Sequence, residues 1–403
     1  MNLSHERITG GVWRALRVCV ATLLALACIT VVGSANFALQ TPPPAKAPPA
    51  VDCKVCKSTG LVPCSEHPKE ECVWEKSAQF CSFIADCPLC KGTGFIDCKD
   101  CDNPESGKLL AEKIATMPSL RAEVEKYDAQ MGRKLRKAVS THFTLVWEID
   151  SLKVEKRNVT AHELTHIYLD RLEQLFALYV DLTKARPGEI VKRQKVFVWW
   201  LISDQQEATL RFCQQGSANG VKLMGSESSY SICGNRQFFT TDERLHRNLV
   251  HSVTHLLFAH EQPSMWIGNL KAGWVEEGLA HVMEDRIFGI CDNYCYEEQN
   301  SNNDFHSGKY KVAMRKMIVE GKYPPVSDVI GRNTDQLKLP EHAVAMSLVD
   351  YLLQREPGKF DLFGKRLRDK VAVREALKAA FGISPLELEA AWKAWVLETY
   401  PKQ

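Results

Sequence analysis

The sequence predicts an α+β fold: a small cysteine-knuckle module followed by a mostly helical domain with a short N-terminal sheet. Three observations predict it. Nine of the fifteen cysteines fall between Cys53 and Cys101. HFTLVWEID (142–150) alternates as a half-buried strand does, and KVFVWWLI (195–202) is an apolar run of strand length. From Asp242 onward the apolar residues recur at helical spacing. With 403 residues, 45% hydrophobic, 25% charged and a net charge of +2, the chain is ordinary globular protein. That charge is too small to coat a polyanion, so no nucleic-acid partner is expected. No phosphate-binding loop, nucleophilic-serine motif or dinucleotide fingerprint is present.

In chain order, MNLSHERITGGVWRALR carries three arginines and is followed by the apolar run VCVATLLALACITVV and the small residues GSA. This is the layout of a secretory signal cleaved near Ala35, so residues 1–35 are expected to be a signal peptide or, uncleaved, an N-terminal membrane anchor. Export follows, to the periplasm, the cell surface or the medium. Ala25-Leu26-Ala27 before Cys28 is a poor lipoprotein signal. Residues 36–52 form a Pro-rich, semi-rigid linker. Residues 53–101 are the cysteine module, and residues 102–141 are a charge-rich helical connector. Residues 142–403 make the main domain. There HFTLVWEID is a strand, THIYLDRLEQLFALYVDLTK a helix, KVFVWWLI a strand and SDQQEATLRFCQQ a helix; FGISPLELEAAWKAWVLETY closes the chain as an amphipathic helix. Trp199, Trp200, Trp392 and Trp395 are expected in the core.

CKVCKSTGLVPCSEH (53–67) and CPLCKGTGFIDCKDC (87–101) superpose as a tandem repeat. Each unit has Cys-x2-Cys, seven residues, then Cys-x2-His or Cys-x2-Cys. Paired knuckles complete the tetrahedral shell that structural zinc prefers, so two zinc ions are expected. The sequential assignment gives Cys53, Cys56, Cys64 and His67 to one ion and Cys87, Cys90, Cys98 and Cys101 to the other; the same spacing also permits crossed pairing. Cys72 with Cys81, Cys213 with Cys233, and Cys291 with Cys295 are candidate disulfides that spacing alone leaves open.

DERLHRNLVHSVTHLLFAH (242–260) places His251 and His255 four residues apart, so on a helix they share a face and can share an ion. The helix is apolar nearly all round and should be buried, where imidazoles need partners. In WVEEGLAHVMED (274–285), Glu277 stands on a second helix and can supply a carboxylate ligand to this third, cleft site.

Two family resemblances rest on these residues. CKGTG (90–94) matches the unit of the cysteine-rich zinc domain of DnaJ-type chaperones, and CKSTG (56–60) keeps its second glycine. The chain has no His-Pro-Asp signature, so this likeness implies a zinc module able to bind peptide or protein rather than a co-chaperone. The second resemblance is to gluzincin (peptidase MA-like) zinc metallopeptidases, and it spans about residues 142–398. WVEEGLA aligns with the family's Trp-x-Asn-Glu-Gly-x-Ala, which puts Glu277 at the third-ligand position. HAVAMSLVDYLL (342–353) and ALKAAFGISPLELEAAWKAWV (376–396) resemble the family's closing segments. The likeness implies a cleft zinc at His251, His255 and Glu277 and a peptide or protein substrate. The family's general-base glutamate is Ser252 here, whose hydroxyl is far too weakly basic to take that proton. Glu276 or Glu284 would have to be recruited instead, and His342 stands where the family has a tyrosine donor. The expectation is an exported metallopeptidase-like protein with impaired catalysis. The alternative is a non-enzymatic binding protein that uses the cysteine module for recognition.

AHELTH (161–166) spells a literal His-Glu-x2-His with His162, Glu163 and His166. Its apolar stripe runs through Leu164, Tyr168, Leu172, Leu175, Tyr179 and Leu182, so the two histidines are expected on a solvated face that continues into Asp170, Glu173 and Gln174.

Overall fold

The computed structural model describes residues 53–67, 78–101, 103–190, 193–213, 229–233, 241–259, 267–294 and 305–402. They belong to one compact unit, Val51–Gln403. The expected signal segment and linker lie outside the described residues. No described helix is long and apolar enough to cross a membrane.

The cysteine-rich segment carries three short strands, β1 (Leu61–Pro63), β2 (Phe80–Cys81) and β3 (Phe95–Asp97), and leads into α1 (Pro104–Met131). Next come β4 (Lys137–Val139), β5 (Phe143–Trp147), the hairpin β6 (Ser151–Val154) and β7 (Arg157–Thr160), α2 (Ala161–Thr183), β8 (Gln194–Trp199), α3 (Ile202–Cys213) and β9 (Ser229–Cys233). The remainder is helical: α4 (Asp242–Ala259), α5 (Gly273–Phe288), α6 (Tyr310–Glu320), α7 (Val326–Val329), α8 (Leu339–Arg355), α9 (Pro357–Arg368), α10 (Val373–Phe381) and α11 (Pro385–Thr399). The fold is α+β and mostly helical, as the sequence predicts.

The main sheet has the order β2-β4-β5-β8-β9. Its first three strands are antiparallel neighbours, and β5, β8 and β9 run parallel. It therefore begins earlier than His142: it takes in β4, whose three residues are too few to show alternation, and β2 from the cysteine-rich segment. Both faces are covered. Phe143, Leu145, Trp147, Val196 and Val198 point into the core shared with α2 and α4, while Val146, Phe197 and Trp199 point toward α1 and α3. The stripe Leu120, Val124, Tyr127 and Met131 lays α1 on that second face. Each such side chain fully buried contributes about 1.5–3 kcal/mol. Asn103 caps α1 by accepting from the amides of Glu105 and Ser106, and Gly132 ends it in the left-handed region.

Three helices are buried almost throughout: α4 from Asn248 on, α5 from Gly273 to Glu284, and α8 from Glu341 to Leu353. Gly278 sets the spacing between α5 and α8, because a Cβ there would lie 2.5 Å from the Ala345 carbonyl oxygen. A capping box of Ser384 with Glu387 starts α11, and Trp392 Nε1 donates to Ser347 Oγ at 2.8 Å to tie it to α8.

Candidate metal centres

The two cysteine repeats meet through β1 and β3, which pair antiparallel with Leu61 opposite Asp97 and Pro63 opposite Phe95. The amide of Cys64 donates to Gly94 O (2.8 Å) and that of Cys98 to Gly60 O (2.9 Å). Antiparallel pairing sets the far end of each strand beside the knuckle that precedes the other. The ligand sets are therefore crossed: Cys53, Cys56, Cys98 and Cys101 form one cluster, and Cys64, His67, Cys87 and Cys90 the other. This corrects the sequential assignment. The Sγ atoms of Cys53 and Cys98 are 3.8 Å apart, those of Cys56 and Cys101 3.4 Å, and those of Cys64 and Cys87 3.9 Å. Cys90 Sγ lies 3.6 Å from His67 Nε2. Either cluster could hold a metal ion. Gly60 has a φ of 73°, and a Cβ on it would fall 2.2 Å from Ser106 Oγ, so only glycine fits this turn. Its amide donates to Cys56 Sγ. Burial opposes the Cys56 thiolate, yet that amide and the neighbouring thiols bring its pKa down to about 6.

The second centre is buried between α4, α5 and α8. His251 and His255 project from α4 with their Nε2 atoms 3.3 Å apart. Glu277 faces them from α5, one oxygen 3.5 Å from His251 Nε2 and the other 3.6 Å from His255 Nε2. All three are buried. Neither Glu277 oxygen takes a hydrogen bond from any described residue. Burial alone would raise the Glu277 carboxyl, but His251, His255 and His342 hold it well below the usual carboxylate range. A buried carboxylate lacking hydrogen bonds costs several kcal/mol. These three residues form a group that could hold a metal ion.

Around them lies a second layer. Glu277, His281 and Glu284 occupy one face of α5 at i, i+4 and i+7. The Glu284 carboxyl is held below its ordinary range by His251 and His281 against the effect of burial. As a carboxylate it can only accept, so His281 Nδ1 donates to it at 2.9 Å and Asn293 Nδ2 donates to its other oxygen. His281 Nε2 and His342 Nδ1 are in hydrogen-bond contact at 3.1 Å. His342 Nδ1 is also 3.5 Å from one Glu277 oxygen. The Tyr294 and Tyr310 rings pack on His281, and their hydroxyls are 2.6 Å apart.

Of the sequence-derived candidates, His251, His255, Glu277 and His342 come together. Ser252, at the general-base position, is buried, and its hydroxyl makes no hydrogen bond with any described residue. Glu276 lies elsewhere, accepting from the amide of Gly268 at 2.7 Å. Glu284 is engaged by His281 and Asn293. Sequence reasoning missed His281, although its position four residues after Glu277 on a buried helix was a usable signal.

His162 and His166 are buried, so the expected solvated face is overturned. Strand β2 and the residues after it cover the start of α2, which no pattern within the helix could reveal. Only the distal half of that face opens to solvent, with Gln174 exposed. Burial, with the charges of His166 and His67, pushes His162 down to about 3, and burial pushes His166 down to about 4. Glu163 is held by both guanidinium nitrogens of Arg157. The candidate disulfides 72–81, 213–233 and 291–295 each involve a side chain outside the described ones. Cys291 Sγ donates to His281 O at 3.2 Å.

No protein-family model matches the chain, and no curated protein matches it in sequence.

Proposed function

We propose that this is an exported, zinc-binding relative of the gluzincin metallopeptidases that has lost hydrolytic activity. The observation that carries the reading is the buried pair of Glu277 oxygens, without hydrogen bonds, beside His251 and His255 Nε2. Tetrahedral zinc with bonds of about 2.3 Å to sulfur and about 2.0–2.1 Å to nitrogen sets ligand edges of about 3.8 Å (S to S), 3.6 Å (S to N) and 3.4 Å (N to N). The cysteine clusters and the histidine pair fall near these edges, which supports zinc in all three. In a gluzincin cleft zinc polarises the substrate carbonyl and activates water. Here the residues that would partner that chemistry are missing or occupied. Ser252 cannot take a proton at neutral pH, Glu276 holds the Gly268 amide, and Glu284 orients His281. His342 stands at the centre 3.5 Å from Glu277, but without a general base the site does not activate water.

The test is zinc per chain, with His251→Ala/His255→Ala beside the wild type, together with a peptide-cleavage assay. One zinc equivalent fewer in the double variant and no cleavage by the wild type is the expected result. Zinc-dependent cleavage by the wild type, abolished in the double variant, would show an active peptidase with another base.

A second reading, polypeptide binding through the cysteine module as in DnaJ-type zinc domains, has its own support. Val55 and Leu89 occupy equivalent places in the two knuckles and are 61% and 46% exposed. Val55→Asp/Leu89→Asp should weaken capture of a reduced, unfolded model polypeptide about tenfold while leaving zinc content unchanged; unchanged binding removes this reading.

A further inference from the structure

Cys81, His162 and His166 form a third kind of cluster, apart from both centres described above. Their ligand atoms all lie within 4.8 Å of one another. Cys81 Sγ is 3.5 Å from His162 Nε2, and the two Nε2 atoms are 3.2 Å apart. These are close to the edges of about 3.6 and 3.4 Å that a tetrahedral ion with those donors would set. We propose that these three side chains bind a divalent transition metal, zinc or copper, that ties the cysteine-rich segment to α2. The donor set itself makes the choice of metal class: one thiolate and two imidazoles suit zinc and copper and reject calcium and magnesium, which need oxygen ligands.

The site is built on rigid elements. Cys81 is fixed by the β2–β4 pairing, where it sits opposite Ala138. The histidines stand four apart on the first turns of α2, whose start is capped by Thr160 accepting from the Glu163 amide at 3.3 Å. Phe83 stacks on the His162 ring at 4.5 Å and 12°, which fixes the imidazole plane. All three donors are buried. A cavity of about 310 Å³ reaches the cluster through His162, with Glu66, His67, Phe83 and Thr160 among its walls. It gives the ion an entry path and solvent for the remaining position of a four-coordinate shell. Glu163 is not available as a base beside this ion, because Arg157 holds its carboxylate. The ion's role is therefore to join segments about eighty residues apart in the chain, much as a structural zinc does.

Crystals of the wild-type chain grown with zinc, and separately with copper, should show anomalous difference density at the metal edge. The expected peak lies about 2.3 Å from Cys81 Sγ and about 2.0–2.1 Å from both Nε2 atoms. His166→Gln should then carry one metal equivalent fewer, with the peaks at the two cysteine clusters and at Glu277 unchanged. A zinc peak assigns zinc, and a peak only in the copper crystals assigns copper. Density at the cysteine clusters with none between Cys81, His162 and His166 under either metal overturns the proposal, whatever the variant does.

Discussion

Cys53→Ser is expected to abolish the all-sulfur cobalt spectrum of the reconstituted protein and leave the three-sulfur, one-nitrogen spectrum in place. The reason is the crossed pairing. Cys53 shares its cluster with Cys56, Cys98 and Cys101, whereas the mixed cluster is Cys64, His67, Cys87 and Cys90. Sequential pairing would give the opposite spectral loss from the same substitution. Cys53→Ser with Cys98→Ser should cost little more metal than either alone, since both strike one ion. Cys53→Ser with Cys64→Ser should cost two equivalents. With zinc in the cluster the stability effect should be large as well, because structural zinc in zinc-finger peptides is bound with about 10–16 kcal/mol that appears as folding free energy. Within the paired knuckles themselves there is little else to hold the fold: two strands of three residues each and a small cluster in which cysteines dominate. Metal analysis of the four proteins, read beside their cobalt spectra, checks the prediction.

The repeat made the eight ligands legible in the sequence but not their partition. Two units of the same spacing have two self-consistent assignments, and the choice is made by three backbone pairs between β1 and β3 that leave no mark in the spacing. The buried centre was read from two local signals, a His-x3-His pair on an apolar helix and Glu277 in WVEEGLA. The structure brings His251, His255 and Glu277 together because each signal lies on one helix, where face and period are fixed by geometry. The misreading at His162 and His166 has the opposite origin. Helix α2 does carry the stripe Leu164, Tyr168, Leu172, Leu175 and Tyr179 in the core. Its other face is covered at one end only, by Cys81 and Phe83 from a segment some eighty residues upstream. Burial imposed by a distant partner is invisible to periodicity. The early strands were missed for a related reason: two or three residues cannot display a period of two.

Glu277→Gln separates a metal ligand from a merely well-placed buried carboxylate. With metal bound, the substitution should lower stability by about 3–5 kcal/mol, because it removes one member of a desolvated charge cluster and weakens the site for its ion. In excess chelator that penalty should vanish or change sign, since the wild type then buries an anionic ligand with no cation to serve while the variant buries a neutral amide. The chelator also strips the cysteine clusters, but it does so equally in both proteins, so the comparison isolates the coupling between residue 277 and the ion. If Glu277 acted instead through the imidazoles at 3.5 and 3.6 Å, the penalty would persist without metal. Denaturant unfolding with and without chelator measures all four corners. Loss or reversal of the penalty on chelation assigns Glu277 to the ion. Persistence would make the orphaned oxygens a feature of an ion-free buried network, and the peptidase-like reading would lose its metal.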